Sequence, residues 1–240
     1  MREILATGYT LPEAYHKALV KLSAEPSGEC GMTMEVLKPI EEPRISRLFP
    51  GGPYDLMRYV LEMTEGIMDF EVERGNWHYT YHQRIAPWID GVIKELKRDP
   101  GSRRACISVR DNAADEGSTD PACLQSMQFM IRDGKLDMHV LFRSNDAVRA
   151  TFMNAFALIC IQEKIAYVLN VKVGRYVHRA TNFHVYPECR DTLEAYVKRI
   201  FSGKDLYYEY SSGDFGQQMT DSIPNICDMV EEQRLKGVKS

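Results

Sequence analysis

The stretch PACLQSMQFMIRDGKLDMHVLFRSND, residues 121–146, contains two runs of alternating apolar and polar residues on either side of an Asp-Gly pair. Alternation with a period of two is typical of a strand with one buried face, and Asp-Gly favours a tight turn between antiparallel strands. We therefore predict a β-hairpin with strands Leu124–Ile131 and Leu136–Phe142. Pairing about the Asp133-Gly134 turn would bring residues near 124–125 opposite residues near 142–143.

The periodicity on either side of this hairpin predicts helices and further short strands. Thr151–Leu169 is apolar almost all round, which predicts a buried, central helix. The last forty residues are polar and give little periodic pattern. The other predicted helices are Leu11–Glu25, Tyr54–Glu65, Pro87–Lys97 and Glu188–Phe201, and the other predicted strands are 32–37, 105–109 and 173–186. Without repeats or linkers, residues 1–240 are predicted to form a single α+β domain.

Composition narrows the classes of function. The chain has 240 residues, of which 44% are hydrophobic and 27% charged, and its net charge is −4 with basic residues spread along its length. This balance argues against general binding of nucleic acid or of anionic membranes. No apolar stretch of signal-peptide or membrane-span type is evident, so a cytoplasmic location is expected. Six cysteines without close Cys or His spacing predict neither a metal site nor a disulfide framework.

Cys123 is the one cysteine at a junction between a polar loop and a strand. A thiol attacks as the thiolate, and nearby cations lower its pKa. The predicted hairpin pairing puts this thiol beside the guanidinium of Arg143. Most free cysteines are structural, so the geometry by itself makes Cys123 a candidate nucleophile and no more.

Arg103, Arg104, Arg143 and Ser144 are candidates for phosphate binding. The planar guanidinium matches phosphate oxygens in a bidentate manner, and a serine hydroxyl donates to the same group. Adjacent arginines are also common as solvated surface residues, which is the alternative for Arg103 and Arg104.

Three further polar residues are candidates for recognition of a base and a sugar. Asn154 lies in the most apolar helix of the chain, where an unpaired amide is costly to bury. It either bonds a loop or pairs with adjacent acceptor and donor groups such as the O4 and N3–H edge of uracil. His184 and Tyr186 alternate on one face of a strand and could bind a sugar hydroxyl, although such ladders are common on half-exposed sheets.

Taken in order, the segments DPGSRR, PACLQSMQF, DGKL, RSND, FMNAFALI and NFHVYPE resemble the thymidylate synthase family. The resemblance covers about residues 87–200 with closely similar separations. It resembles the short, archaeal-type members most, and nucleotide hydroxymethylases are close relatives. It implies a mixed sheet packed against helices and used as a dimer interface.

The resemblance also implies roles for individual residues. Cys123 matches the nucleophile that attacks C6 of the pyrimidine, Arg143 and Ser144 the phosphate ligands, and Asn154 the amide that recognises the base edge. The remaining matches are Arg103 and Arg104 (donated to the partner subunit's site of a homodimer), His184 and Tyr186 (sugar 3′-hydroxyl), Asp146 (pterin ring of the folate) and Tyr81 (active-site loop, with Tyr79 as the competing register).

The reaction implied is C5-methylation of dUMP to dTMP with 5,10-methylenetetrahydrofolate, or a methanopterin analogue, as the one-carbon donor. Covalent attack at C6 makes C5 nucleophilic, and reduction of the transferred carbon then yields a methyl group. Capture by water instead yields a hydroxymethyl group, so a dUMP, dCMP or CMP 5-hydroxymethylase is the alternative within the family. A non-catalytic nucleotide-binding member is the alternative outside enzymology.

Several positions depart from the familiar bacterial pattern. Leu124 stands where those enzymes have His after the cysteine. Counting back from Gly66 to the family's catalytic glutamate reaches Tyr59, so Glu62, one turn away, is the candidate, with Glu65 behind it. The phosphate-loop arginine has no clean counterpart, and Arg44 and Arg47 are the candidates. The ending EEQRLKGVKS lacks the apolar tail that covers the folate, which motivates the methanopterin alternative.

Overall fold

The structure is a computed structural model that describes residues 1–208, 210 and 214–236. The strands are β1 (Glu3–Gly8), β2 (Glu29–Val36), β3 (Ile45–Ser46), β4 (Cys106–Ser108), β5 (Leu124–Arg132), β6 (Lys135–Asp146), β7 (Lys172–His184) and β8 (Tyr207–Tyr208). The helices are α1 (Leu11–Ser23), α2 (Pro53–Glu65), α3 (Phe70–Glu73), α4 (Tyr81–Arg98), α5 (Asn112–Asp115), α6 (Thr151–Leu169), α7 (Arg190–Ser202), α8 (Asp214–Asp221) and α9 (Ile223–Lys236).

A six-stranded mixed sheet forms the centre of the fold, in the order β1-β2-β7-β6-β5-β4. β1 pairs with β2, and β6 with β7, in parallel; the other neighbours are antiparallel. The predicted α+β class is thus confirmed. Since β6 and β7 are parallel and β5 is antiparallel to β6, the start of β5 lies at the same sheet edge as the ends of β6 and β7.

The predicted hairpin is confirmed, with Leu124 opposite Phe142 and Arg132 opposite Lys135. Asp133 and Gly134 both have positive φ, as a tight turn between antiparallel strands requires. One face of the hairpin is apolar and buried, and α6 packs against this side of the sheet at β6 and β7. The fully buried aromatic rings Phe129, Phe142, Phe152, Phe156, Tyr176 and Phe183 lie in this core.

Some sequence predictions were wrong at the ends of elements. The third helix was predicted from Pro87, but α4 begins at Tyr81 and contains Pro87 within it. Its first turn is stabilised by burial of Ile85 and by the Thr80 side chain, which accepts a hydrogen bond from the Gln83 N–H. The structure also contains β1, α8 and α9, which the sequence does not predict, because β1 has only six residues and the apolar residues of α9 show little helical periodicity.

Helix α6 has the length and hydropathy of a membrane span, but most of it is buried inside the protein. A core helix of a folded protein meets the same criteria as a span, because it is apolar around most of its circumference. The predicted central position of this helix is therefore confirmed.

The other face of the sheet is only partly covered. Its half-exposed and exposed side chains include Gln128, Met130, His139, Leu141, Val177, Arg179 and Thr181. A broad sheet face with interspersed apolar residues is suited to association with another surface.

Candidate active site

Cys123 lies immediately before β5, at the sheet edge where β6 and β7 end. Its backbone oxygen accepts from the Arg143 N–H at 2.9 Å, so the hairpin ladder fixes the main chain beside the thiol. On the other side, the Leu124 N–H donates to the Tyr81 hydroxyl at 3.2 Å. The thiol itself is partly exposed, whereas Leu124 is fully buried.

The Arg143 guanidinium folds back over the loop that carries Cys123. Its Nε donates to the Ala122 carbonyl at 3.2 Å and its Nη2 to the Pro121 carbonyl at 2.6 Å. The prediction that the thiol lies near a guanidinium is correct in geometry. Burial nevertheless raises the pKa of Cys123 more than Arg143 lowers it. In the isolated chain the thiol is therefore the dominant form at neutral pH.

Glu62 borders a cavity of about 230 Å³, together with Tyr59, Asn76, Trp77, His78, Tyr79, Thr80, Tyr81 and Asp120. Burial raises the pKa of the Glu62 carboxyl to about 7, although Arg58 opposes this effect. Glu65, the other candidate, is exposed and forms an ion pair with Lys164 that lowers its pKa. Of the two carboxyls, the one at position 62 has the environment of a proton-transfer group.

Tyr79 and Tyr81 both lie in this cavity wall, with ring centroids 5.4 Å apart. Burial raises the pKa of both hydroxyls, so both remain protonated. Tyr81 is the one that bonds the backbone of β5. The two registers proposed from sequence thus lead to adjacent rings in one site.

Asn154 lies in the first turn of α6 and is only 5% exposed. Its Oδ1 accepts a hydrogen bond from the hydroxyl of Tyr59, in the middle of α2. Tyr59 occupies the position that counting back from Gly66 gives for the family's catalytic glutamate, and its hydroxyl is not a carboxylate. The side chain at that position nevertheless contacts the proposed base-recognition residue.

Ser144, His184 and Tyr186 are brought together by the parallel pairing of β6 with β7. The Ser144 Oγ and His184 Nδ1 are 3.3 Å apart, and the rings of His184 and Tyr186 meet edge to face with centroids 4.9 Å apart. Among the described residues, Nη1 of Arg143 has no hydrogen-bond partner. This edge therefore presents a guanidinium donor, a hydroxyl and an imidazole to an anionic, hydroxylated ligand.

Asp146 ends β6 and closes the turn before α6. Its Oδ1 accepts from the backbone N–H groups of Val148 and Arg149, each at 2.9 Å. Within residues 1–208, 210 and 214–236, nothing donates to its Oδ2. One carboxylate oxygen thus holds the loop while the other is available to a ligand with N–H groups.

Arg103 and Arg104 lie away from this edge. Cys106 pairs with Gln128, which puts Arg104 level with Met130 on β5. At ~3.3 Å per residue, this position is roughly 20 Å along the strand from the cysteine. Arg104 forms ion pairs with Glu95 (3.0 Å) and Asp99 (3.3 Å), whereas Arg103 is exposed. Within one chain these arginines do not join Cys123.

The two N-terminal arginines are also engaged elsewhere. Arg44 is buried and pairs with Glu163 of α6 at 2.6 Å. Arg47 donates to the Tyr207 carbonyl at 3.0 Å and lies over the ring of Tyr208.

The six cysteines are free thiols. In the part of the chain that the structure describes, no three His, Cys, Asp or Glu side chains come close enough to hold a metal ion. Of the polar ending noted in the sequence, Glu231–Lys236 belongs to α9, and residues 237–240 lie outside the described residues.

Comparison with known proteins identifies relatives of this arrangement. The thymidylate synthase family model matches residues 68–207. A proposed thymidylate synthase of Methanocaldococcus jannaschii is 33% identical over 181 residues, which cover 68% of this chain and 77% of the relative. A Bacillus licheniformis thymidylate synthase is 27% identical and covers 59% of this chain and 54% of its own length. The solved thermostable thymidylate synthase A of Bacillus subtilis has the same fold, with a TM-score of 0.61 at 17% identity, covering 79% of this chain and 84% of that one.

Proposed function

This chain belongs to the thymidylate synthase family of one-carbon methyltransferases, and on that premise we propose that it methylates dUMP at C5 in the cytoplasm. The observation that carries the proposal is the convergence of Cys123, Arg143, Ser144 and Asn154 at one sheet edge, with Glu62 in the adjoining cavity wall. These groups come from the loop before β5 and from β6, α6 and α2, and together they match the needs of one pyrimidine nucleotide.

Cys123 is proposed as the nucleophile at C6. Its thiol is protonated at rest, so the attack requires loss of a proton and added stabilisation of the thiolate. A bound phosphate would draw the Arg143 guanidinium and Ser144 toward the ligand, and arginines of a partner subunit would add positive charge. Substrate binding and activation of the nucleophile are thereby coupled.

Asn154 is proposed to recognise the base, and His184 with Tyr186 to bind the 3′-hydroxyl. A carboxamide both donates and accepts, as the O4 and N3–H edge of uracil requires. Glu62 is proposed as the group that exchanges protons at the reacting end of the base. A pKa of about 7 lets it gain and lose a proton at neutral pH. Tyr81 is proposed to hold the backbone next to the nucleophile.

The co-substrate is proposed to be a methylene-tetrahydropterin, either 5,10-methylenetetrahydrofolate or a methanopterin derivative. It supplies a carbon at the formaldehyde level and, for a methyl product, the hydride. Asp146 fits its ring, because the free Oδ2 can accept from pterin N–H groups while Oδ1 keeps the loop rigid. Parallel assays with each methylene carrier decide between them. Formation of product with the folate carrier and none with the methanopterin carrier would reject the methanopterin proposal.

A nucleotide 5-hydroxymethylase is the second candidate. The cavity beside Glu62, of about 230 Å³, is large enough to admit water molecules. Water there could capture the one-carbon unit before reduction. The product masses differ by one oxygen atom, so mass spectrometry of the nucleotide distinguishes the two reactions.

The test of the proposed function is covalent trapping. Wild-type protein is incubated with 5-fluoro-dUMP and carrier, and the adduct is located by peptide mass spectrometry. We expect a stable adduct on Cys123, none in Cys123→Ala, and an undiminished adduct in Cys227→Ala, whose exposed thiol lies on α9 outside the site. Reversible binding without an adduct would instead indicate a nucleotide-binding module.

The homodimer is proposed to form through the uncovered face of the sheet. Arg103 and Arg104 are level with the far end of β5 and do not reach the cysteine of their own chain. Donation of Arg103 to the partner subunit's site would explain why this exposed arginine stands just before β4. The Arg104 side chain would then exchange its ion pairs with Glu95 and Asp99 for the partner's phosphate.

A further inference from the structure

Tyr59 contacts the residue proposed to recognise the base, and the family pattern assigns no tyrosine to this position. Its hydroxyl donates to Oδ1 of Asn154, and among the described residues the hydroxyl has no other hydrogen-bond partner. The two residues are far apart in sequence, on α2 and α6, two helices that pack against each other. The contact therefore depends on the helix packing.

The direction of this hydrogen bond is fixed by the protonation of the tyrosine. Burial raises the pKa of Tyr59 well above its ordinary value, and the neighbouring Glu62 raises it further. The hydroxyl accordingly keeps its hydrogen and acts as a donor, and the oxygen end of the carboxamide faces it.

A carboxamide can be turned by half a rotation at little steric cost, which exchanges its oxygen and its NH2 group. In the turned state Nδ2 would face the Tyr59 oxygen, and the phenolic hydrogen would have no acceptor in a partly buried position. A buried donor without a partner is penalised. Tyr59 thus stabilises one of the two orientations of Asn154.

Uracil and cytosine require opposite orientations of this amide. Uracil presents an acceptor at C4 and a donor at N3, whereas cytosine presents a donor at C4 and an acceptor at N3. In the proposed site the base cannot turn to compensate, because the phosphate contacts at Arg143 and Ser144 and the sugar contact at His184 fix its pose without any bond to Cys123. An amide held in one orientation therefore favours one base over the other.

We propose that Tyr59 is a specificity-determining residue that locks the carboxamide of Asn154 and so sets the preference between uracil and cytosine nucleotides. The proposal rests on the nucleotide site of the proposed function, and it does not depend on which carbon carrier or product the enzyme uses. Tyr59 acts through Asn154 and is a positioning residue, not a catalytic one.

The test compares the equilibrium dissociation constants of dUMP and dCMP, measured by calorimetry without carrier, for wild type and Tyr59→Phe. We expect wild type to prefer one nucleotide and the preference to fall about tenfold in Tyr59→Phe, as for loss of one hydrogen bond to a buried polar group. Tyr54→Phe is the matched control, since Tyr54 is on the same helix and its hydroxyl bonds Met229 at 3.1 Å, outside the site. Its preference should equal that of wild type.

A second comparison distinguishes orientation of the Asn154 carboxamide by Tyr59 from a purely structural role of this tyrosine. In an Asn154→Asp background both ends of the side chain are oxygens, so there is no orientation to lock, and adding Tyr59→Phe should leave the dUMP-to-dCMP ratio unchanged within about twofold. If Tyr59 had only a structural role, Tyr59→Phe would weaken the binding of dUMP and dCMP equally. The dUMP-to-dCMP affinity ratio would then stay at the wild-type value, and this result would overturn the proposal. Equal wild-type affinities for the two nucleotides would overturn it as well.

The proposed function can fail separately. If nucleotide selectivity is lost in Tyr59→Phe but no covalent adduct forms at Cys123, the proposed methyltransferase activity is rejected. The proposal that Tyr59 orients Asn154 is then retained. A covalent adduct at Cys123, together with an unchanged dUMP-to-dCMP affinity ratio in Tyr59→Phe, would support the proposed enzyme function and reject the role of Tyr59.

Discussion

At the residue scale, the site combines a thiol and a carboxyl whose pKa values are both raised by burial. For Cys123 the increase works against reactivity, because the attacking species is the thiolate. For Glu62 it brings the pKa to about 7, which suits proton exchange. The same physical cause thus has opposite consequences for the proposed nucleophile and for the proposed proton-transfer group, and ligand charges would have to offset it at the cysteine.

Glu62→Gln should abolish most turnover and change the pH profile. With a pKa of about 7, Glu62 is protonated below pH 7 and ionised above it, so a reaction that needs the carboxylate slows as the pH falls through 7. We expect kcat to fall by roughly 10²- to 10⁴-fold in Glu62→Gln and the limb near pH 7 to disappear. Steady-state kinetics across the range from mildly acidic to mildly alkaline pH measure both.

Glu65→Gln is the control for this prediction. Glu65 is exposed on the same helix, and its pKa is lowered by Lys164. Its variant should keep the wild-type profile. A wild-type pH profile of kcat in Glu62→Gln, or a loss of activity in Glu65→Gln, would contradict the assignment of Glu62 as the proton-transfer group and favour Glu65.

At the element scale, α4 and β5 meet at the hydrogen bond between the Tyr81 hydroxyl and the Leu124 N–H. This bond ties the first turn of a helix to the first residue of the strand that follows the nucleophile. This bond would hold the loop residue Cys123 in a fixed position for its proposed attack on the pyrimidine ring.

Tyr81→Phe should therefore lower kcat about tenfold with little change in the nucleotide dissociation constant, because the ring remains while the Leu124 N–H loses its acceptor and the start of β5 is less well ordered. Tyr167→Phe serves as the control, because that side chain is 87% exposed on α6. An unaltered kcat in Tyr81→Phe would contradict the assignment and favour Tyr79.

Arg44 links the segment before β3 to α6. Its guanidinium pairs with Glu163 and lies over the ring of Tyr210, with its carbon 4.6 Å from the ring centroid. Only 7% of the residue is exposed. These contacts indicate a role in stability instead of the phosphate binding considered from sequence.

Arg44→Ala should lower the free energy of unfolding by about 2–4 kcal/mol, since it leaves Glu163 without its partner and removes packed side-chain surface. Denaturant titration measures this change, and calorimetry should find dUMP affinity unaltered. Arg2→Ala, which breaks an exposed pair with Glu25, should cost under ~1 kcal/mol. A large loss of dUMP affinity in Arg44→Ala, with stability retained, would restore the phosphate role.

At the scale of the whole molecule, the proposed dimer should allow subunit complementation. Cys123→Ala lacks the nucleophile, and Arg103→Ala lacks the donated arginine, so each homodimer should be nearly inactive. A mixed dimer would contain one site with both groups intact.

Refolding an equal mixture of Cys123→Ala and Arg103→Ala should recover up to about a quarter of wild-type activity, because half of the dimers are mixed and each has one complete site. The control mixes Cys123→Ala with Glu62→Gln, whose mutated groups both act within their own chain. That mixture also yields a mixed dimer, but neither of its sites is complete, so no recovery is expected. Recovery in the control, or none in the first mixture, would contradict donation of Arg103.

The sequence by itself determined the hairpin, the central helix α6 and the order of the family motifs, because periodicity and turn chemistry act over a few residues. The family resemblance also made Ser144 and His184 candidates for binding one ligand. Only the tertiary structure decided that Glu62 is partly buried while Glu65 is exposed, that burial outweighs Arg143 at the thiol, and that Tyr59 bonds Asn154. Each of these depends on how α2, α4 and α6 pack against one sheet edge, and desolvation and hydrogen bonding between distant segments leave no local pattern in the chain.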